Sequence, residues 1–233
     1  MTRIHASASH EAPGSSQANS SPGASPPGWL RRRTPFRLAL KTAMDVTLVI
    51  LAAPLALIII GVAAVWIKLD DGGPVIYRRR VLGPGGEFDA FKLRSMRLDA
   101  DQILERDPRL RAEFEATYKL KQDPRVTRPG RYLRAWSLDE LPQLWNVLRG
   151  QMSWVGPRMI IRRELEKFGP DGNIFQWVKP GLTGLWQVSG RQEVSYQERV
   201  KLDLRYLENW SPALDVKIIF KTVWKVLKRE GAY

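Results

Sequence analysis

The chain has 233 residues, no cysteine, and 37 Lys plus Arg against 24 Asp plus Glu, a formal charge of +13. Disulfides, thiolate nucleophiles and Cys-ligated metals are therefore excluded. Both histidines, His5 and His10, lie in a tail rich in Ser, Pro, Ala and Gly. Any domain after residue 10 thus lacks the imidazole of a Ser-His-Asp triad, a His-ligated zinc site or a His general base. Carboxylates, lysines, arginines, hydroxyls and bound ions must carry whatever chemistry there is.

The first 28 residues hold one Arg and one Glu, so the whole positive charge lies in residues 29–233. Such a charge implies an anionic partner, with nucleic acid, anionic lipid and phosphorylated small molecules all open. Residues 1–35 are expected to be a disordered tail that ends in the basic cluster Arg31, Arg32 and Arg33. No apolar core follows a basic start there, so the tail does not read as a signal peptide.

Residues 36–70 read as a membrane helix. Val46–Ile67 gives 22 residues without a charge, between Asp45 and Lys68. At 1.5 Å per residue that is about 33 Å, enough to cross a bilayer. Pro54 removes a helix hydrogen bond inside the run and predicts a bend. Basic residues flank both sides: Arg31–Lys41 before, and Lys68 with Arg78, Arg79 and Arg80 after. The positive-inside bias would keep both flanks in the cytoplasm, which a bent, re-entrant helix broken at Pro54 satisfies; a straight crossing stays open, because the rule is a bias and not a law.

Residues 71–233 read as a cytoplasmic domain. Pro74–Arg80 and Glu87–Met96 predict an antiparallel hairpin across Gly83-Pro84-Gly85-Gly86. A helix is expected over Asp99–Leu120, interrupted near Pro108, and a loop over Asp123–Gly130. Helices are expected over Leu138–Leu148 and Ile160–Phe168, a glycine-rich loop over Lys179–Arg191, and helices over Tyr196–Asn209 and Ala213–Glu230. The last begins with Ser211-Pro212, an N-cap followed by proline. Val216, Ile219, Phe220, Val223, Trp224 and Leu227 line one side, and Lys217, Lys221, Lys225 and Lys228 another. That pattern suits either an ordinary surface helix or an amphipathic helix on an anionic membrane. The fold class is α/β, mostly helical, with a short antiparallel β-hairpin.

The chemistry concentrates in Arg131-Tyr132-Leu133-Arg134-Ala135-Trp136-Ser137-Leu138-Asp139-Glu140-Leu141-Pro142-Gln143-Leu144. Ser137 and Glu140 have the spacing of a capping box, which would make both acids ordinary helix-start residues. The same geometry also suits an ionised carboxylate at an anion-binding helix start. With Arg131 and Arg134 upstream and Arg158 downstream, a carboxylate could attack a phosphoryl group. A divalent cation such as Mg²⁺ would reduce the repulsion between the two anions.

Ser137–Leu144, Asn146-Val147-Leu148 and Met152-Ser153-Trp154-Val155-Gly156-Pro157-Arg158 together resemble the core motif of bacterial sugar transferases. These are the monotopic polyprenyl-phosphate phosphoglycosyltransferases, and the likeness is to their short form. It covers roughly residues 36–233 and includes Lys41, Asp45, Pro54, Gly73-Pro74, Phe91-Lys92-Leu93-Arg94-Ser95-Met96 and Lys179-Pro180-Gly181-Leu182-Thr183-Gly184. The resemblance implies transfer of a sugar 1-phosphate from a UDP-sugar to undecaprenyl phosphate, with release of UMP. It implies that Asp139 is the nucleophile and Mg²⁺ ligand, and that Glu140 is base or positioning group for the acceptor. Arg134 and Arg158 match positions that contact phosphates, and Arg131 is grouped with them.

Gly184–Arg191 and Glu208-Asn209-Trp210-Ser211-Pro212 resemble exopolysaccharide-initiating members, which points to glucose or galactose 1-phosphate. The resemblance also implies membrane lipids as partners and the cytoplasmic face of the inner membrane as location. It leaves a homo-oligomer open. Departures from the pattern are Ala53 where a serine often precedes the proline, Gln151 for a common Asp, Met159 for a second proline, and Leu93 and Ser95 for Phe and Thr. Two other readings compete. A membrane-anchored nucleic-acid module lacks any helix-turn-helix, RNA-recognition or zinc signature, so no nucleic-acid partner is expected. The other is an ordinary nucleotide-sugar glycosyltransferase, which would release UDP rather than UMP.

Overall fold

The computed structural model describes residues 28, 34–117, 120, 122–165, 174, 177–190 and 194–228. The tail, the end of the expected helix Ile160–Phe168, Arg191 and the last five residues lie outside the described set.

Helix α1 is Pro35–Asp71. It starts at Thr34, whose hydroxyl accepts the Arg37 N–H, and Pro35 takes the first turn, where its missing N–H costs nothing. It ends at Gly72, at φ 69°, which returns its N–H to the Lys68 carbonyl. Helical backbone continues through Pro54, so the helix is not interrupted where the break was expected. Thirty-seven residues make a rod about 55 Å long. Asp45, Val49, Ala56, Ala63 and Ile67 form a buried stripe, separated by four, seven, seven and four residues. That spacing keeps one narrow face on the body along most of the rod. The opposite face is large and apolar, with Leu51, Leu55, Leu57, Ile58, Val62 and Leu69 all exposed. Mean hydropathy over its most apolar window is 2.9, and the length is enough to cross a membrane. An exposed apolar face this size calls for a cover.

Strands β1 (Ile76–Gly83) and β2 (Gly86–Leu93) pair antiparallel, from Ile76 opposite Leu93 to Gly83 opposite Gly86. Next come α2 (Ala100–Arg106), α3 (Pro108–Thr117), α4 (Arg128–Ala135), a 3-10 segment Leu138–Gln143 and α5 (Leu144–Leu148). Strands β3 (Ser153–Val155) and β4 (Gly181–Thr183) form a parallel pair, with a 3-10 turn Arg162–Glu164 between them in sequence. Helices α6 (Leu185–Val188), α7 (Tyr196–Glu208) and α8 (Pro212–Leu227) complete the described chain.

Three apolar clusters hold these elements. The largest joins Val155, Ile160, Tyr206, Leu207, Trp210 and Ile218. The second seats Val49 and Ala56 of α1 on Phe88, Ala90, Leu144 and Met152. The third seats Ala63 and Ile67 on Leu93 and Leu133. Polar ties fix both ends of α1 to the same body. Near the start, the Lys41 ammonium donates to Asp215 Oδ2 (2.7 Å) and the Val155 carbonyl (3.0 Å). Tyr206 and Trp210 also donate to Asp215, so that buried carboxylate is fully engaged. Asp45 accepts from Ser153 Oγ and the Trp154 N–H. At the far end, Asp71 pairs with Arg94, which also donates to the Pro74 and Met96 carbonyls.

Several expectations need correction. Asp123–Gly130 is not wholly loop: Thr127 caps α4, which begins at Arg128 and carries Pro129 in its first turn. The expected helix Leu138–Leu148 is a 3-10 segment followed by a short α-helix, because Pro142 has no N–H for an α-helical bond. The expected loop Lys179–Arg191 contains β4 and α6. The hairpin, the break near Pro108, and α7 and α8 fall where the sequence places them, within two or three residues.

Candidate active site

Asp139 and Glu140 sit in the first turn of the 3-10 segment, against β2 and α4. The capping box does not form. Ser137 has φ 55°, in the left-handed region, and its side chain makes no cap bond. This is the sole non-glycine residue at positive φ among the described residues, a conformation that costs energy and often marks function. Glu140 is thereby released from its own helix start and meets Lys92 of β2 at 2.6 Å.

Asp139 is only 9% exposed. Burial pushes its carboxyl up to about 6. Lys92 pulls it down, Glu140 pushes it up again, and Arg134 pulls it down. Those are the charges that a buried nucleophile must balance to be ionised near neutrality. Arg134 projects from α4 and donates from Nε to Ser95 Oγ at 2.9 Å. Burial lowers its affinity for a proton, while the charges of Asp139 and Asp123 restore part of it.

Two sequence details set this geometry. A Cβ on Gly130 would overlap the Ser95 carbonyl oxygen, so only glycine lets α4 approach Ser95 closely. Asn146, fully buried, accepts the Phe91 N–H at 3.0 Å and donates to the Asp89 carbonyl at 2.8 Å. It thus fastens α5 to β2 one residue from Lys92. Gln151, where an aspartate is common, still supplies an acceptor for the Asn146 amide, at 2.9 Å. Gln143 follows Glu140 by one 3-10 turn, so the two share a face. Its amide is fully buried, with neither atom hydrogen-bonded.

The structure gives the other predicted arginines contacts of their own. Arg158 lies in a second polar cluster, with its guanidinium 3.8 Å from Glu164 and 5.5 Å from the Trp186 ring centre. Arg199 approaches the same indole at 5.1 Å. Asp203 accepts the Arg158 backbone N–H at 3.1 Å, and its carboxyl is pushed up to about 7 by burial, against the pull of Arg158 and Arg199. Among the described residues, Arg158 forms no ion pair with Asp139 or Glu140. Arg131 lines a cavity where α4 meets the end of α1.

Lys92, Gln143, Glu164 and Asp203 escaped sequence reasoning as site residues. Lys92 stood inside the quoted Phe91–Met96 motif, but its partner lies 48 residues away. Asp203 carried no local signal, since a single acid in an amphipathic helix reads as surface.

The chain matches the family model described as bacterial sugar transferase over residues 36–229. It is 46% identical over 195 residues to the undecaprenyl-phosphate galactose phosphotransferase of Salmonella typhimurium, covering 81% of this chain and 40% of that protein. It is 42% identical over 213 residues to the exopolysaccharide production protein ExoY of Rhizobium meliloti, covering 89% and 90%. It is 38% identical over 204 residues to the UDP-glucose:undecaprenyl-phosphate glucose-1-phosphate transferase of Escherichia coli, covering 83% and 41%. The chain thus spans about two fifths of the length of the Salmonella and Escherichia proteins. The matched span takes in α1, the hairpin, Asp139, Glu140 and the Arg158 cluster, and on it the chain belongs to the bacterial sugar transferase family.

Proposed function

We propose that this chain is a phosphoglycosyltransferase. It moves a hexose 1-phosphate, glucose or galactose, from a UDP-sugar to undecaprenyl phosphate and releases UMP, as the first membrane step of exopolysaccharide synthesis. The observation that carries this reading is a buried Asp139 flanked by the Lys92–Glu140 pair and by Arg134. The names of the Salmonella, Rhizobium and Escherichia relatives supply the substrates and the pathway class.

In the first half-reaction a carboxylate oxygen of Asp139 attacks the sugar-bearing phosphorus. A new P–O bond forms, the bond to the bridging oxygen breaks, and UMP leaves with the electron pair. In the second, an oxygen of the lipid phosphate attacks the same phosphorus and the bond to Asp139 breaks. The carboxylate is regenerated. Glu140 orients the acceptor or takes its proton, and Lys92 holds Glu140 in place. Arg134 faces the charge that develops on the phosphoryl oxygens.

Among the described residues no group of three or more acids could hold a metal unaided. Mg²⁺ needs only one or two protein oxygens when a diphosphate supplies the others. Asp139 would hold it, and the unpartnered Gln143 amide on the Glu140 face adds an oxygen of the right kind. When bound, the ion would neutralise diphosphate charge; the residues present fit that role.

The re-entrant topology belongs to this proposal as well. Both ends of α1 are tied to one body, through Asp215 and Asp45 at the start and Arg94 at the end. That supports a helix whose two ends stay on the cytoplasmic face while its exposed apolar side lies in that leaflet of the inner membrane. Helix α8 supports a membrane-surface setting, because Val216, Phe220, Val223, Trp224 and Leu227 are exposed beside Lys217, Lys221 and Lys228.

The decisive experiment supplies UDP-glucose or UDP-galactose without lipid acceptor and quenches in acid. Intact-protein mass spectrometry is expected to show a hexose-phosphate adduct on Asp139, with one UMP released per adduct. Asp139→Asn is expected to give neither, since an amide is not a nucleophile here. Substantial turnover by that variant, or UDP in place of UMP, overturns the reading.

A further inference from the structure

At the junction of α1 and α4 lies an open cavity of about 880 Å³. Its two walls come from two helices. Trp66 and Leu69 stand on the α1 side, and Arg128, Arg131 and Tyr132 share one face of α4 on the other. The Trp66 and Tyr132 rings lie 5.4 Å apart, tilted by 40°. Both arginines are exposed, and neither is in an ion pair among the described residues. Asp70 also lines the cavity and pairs with neither arginine, so the lining is net positive by one charge.

The surroundings restrict what such a cavity can take. The uncovered apolar face of α1, from Leu55 through Ile58, Val62 and Val65 to Leu69, runs down to it. Exposed aromatics at the foot of an apolar helix occupy the usual depth of lipid headgroups. A ligand that satisfies both walls and that face carries an anionic head and a long apolar tail. The head suits two guanidiniums, which favour phosphate. A nucleotide-sugar has no tail for the apolar face. The cavity also adjoins the reacting carboxylate along the chain: Ala135 and Trp136 line it, and Asp139 follows Trp136 by three residues.

We infer that this cavity is the docking site of the prenyl phosphate acceptor. Its phosphate sits on Arg128 and Arg131, its first isoprene units lie on Trp66 and Tyr132, and its tail follows α1 into the membrane. The inference rests on the two-step transfer proposed above. It takes Arg131 away from the nucleotide and gives it to the acceptor.

The test uses the full chain in detergent micelles, with UMP release as readout. Initial rates are measured against prenyl phosphate at saturating UDP-sugar, and against UDP-sugar at saturating acceptor. Arg128→Gln and Tyr132→Ala are each expected to raise the acceptor KM about tenfold, the loss of one charge-assisted bond or one buried ring. The donor KM and the acceptor-free UMP burst should change less than about twofold on the same scale. Arg128→Lys should recover part of the loss. An unmoved acceptor KM overturns the assignment. A donor KM that rises in parallel, or a burst that falls, also overturns it, because the arginines then serve the nucleotide.

A second arm adds excess phosphatidylglycerol. It should leave the acceptor KM unchanged; competition that disappears in Arg128→Gln would assign the cavity to phospholipid headgroups instead. A wild-type protein with no burst at all sinks the two-step transfer itself, which separates that failure from failure of the docking site.

Discussion

On the proposed mechanism, Asp139 has to be desolvated to be reactive and ionised to attack, and these demands oppose each other. Its carboxyl stands near 6, raised by burial and held from rising further by Lys92 and Arg134. The acid must lose its proton before attack, so acceptor-free UMP release is expected to be full above about pH 7. It should fall roughly tenfold per unit below about 6. Lys92→Met removes the strongest pull toward the ionised form, so the acid limb should move to higher pH. A stopped-flow or quenched-flow pH profile checks this, and a limb that stays or moves down contradicts it. At this scale the sequence was partly legible. Asp139, Glu140 and Arg134 are neighbours along the chain, and their chemistry can be read from adjacency. Lys92 arrives from a strand 48 residues earlier. Only the packing of β2 on the 3-10 segment makes it a partner.

At the scale of elements, the site depends on how closely α4 approaches the end of β2. Thr127 N–H bonds the Ser95 carbonyl at 3.1 Å, and Gly130 rests against the same carbonyl. Gly130→Ala forces α4 outward and carries Arg134 away from Ser95. The overpacking should cost about 1–3 kcal/mol. It should lower the melting temperature in detergent and slow the acceptor-free UMP burst together. A variant that keeps both at wild-type values would show that α4 has slack.

The hairpin was legible because Gly83-Pro84-Gly85-Gly86 is a turn signal between two strand-like runs, and α8 because Ser211-Pro212 announces its start. Strands β3 and β4 were not, since three residues each carry no period. Helix α4 was hidden because Pro129-Gly130 reads as a turn. The Thr127 cap and a proline in the first turn were the signals that could have revealed it.

On the scale of the whole molecule, a long apolar rod is gripped at both ends by one body. That arrangement suits a chain whose two flanks stay on the same side of the bilayer. The protein has no cysteine, so single introduced thiols report position cleanly. Arg37→Cys and Asp70→Cys, both at exposed sites near the helix ends, are expected to react with a membrane-impermeant maleimide in inverted vesicles only. Reaction of either in intact spheroplasts would place that end outside and refute the re-entrant path. Parts of the +13 charge, which composition alone could not assign, now have places: the lysines of α8, Arg134 beside Asp139, Arg128 and Arg131 at the α1–α4 cavity, and Arg158 and Arg199 around Trp186.

The Lys41–Asp215 pair also has a consequence for biogenesis. During synthesis, α1 leaves the ribosome with Lys41 and Asp45 already in place, but Asp215 is translated 174 residues after Lys41. Until then its ammonium lacks that counter-ion, although Ser153 and Trp154, the partners of the Asp45 carboxylate, are already made. Docking of the body on its own anchor is therefore among the last events of synthesis. A ribosome stalled before Asp215 holds a helix that is able to enter the membrane but not to settle.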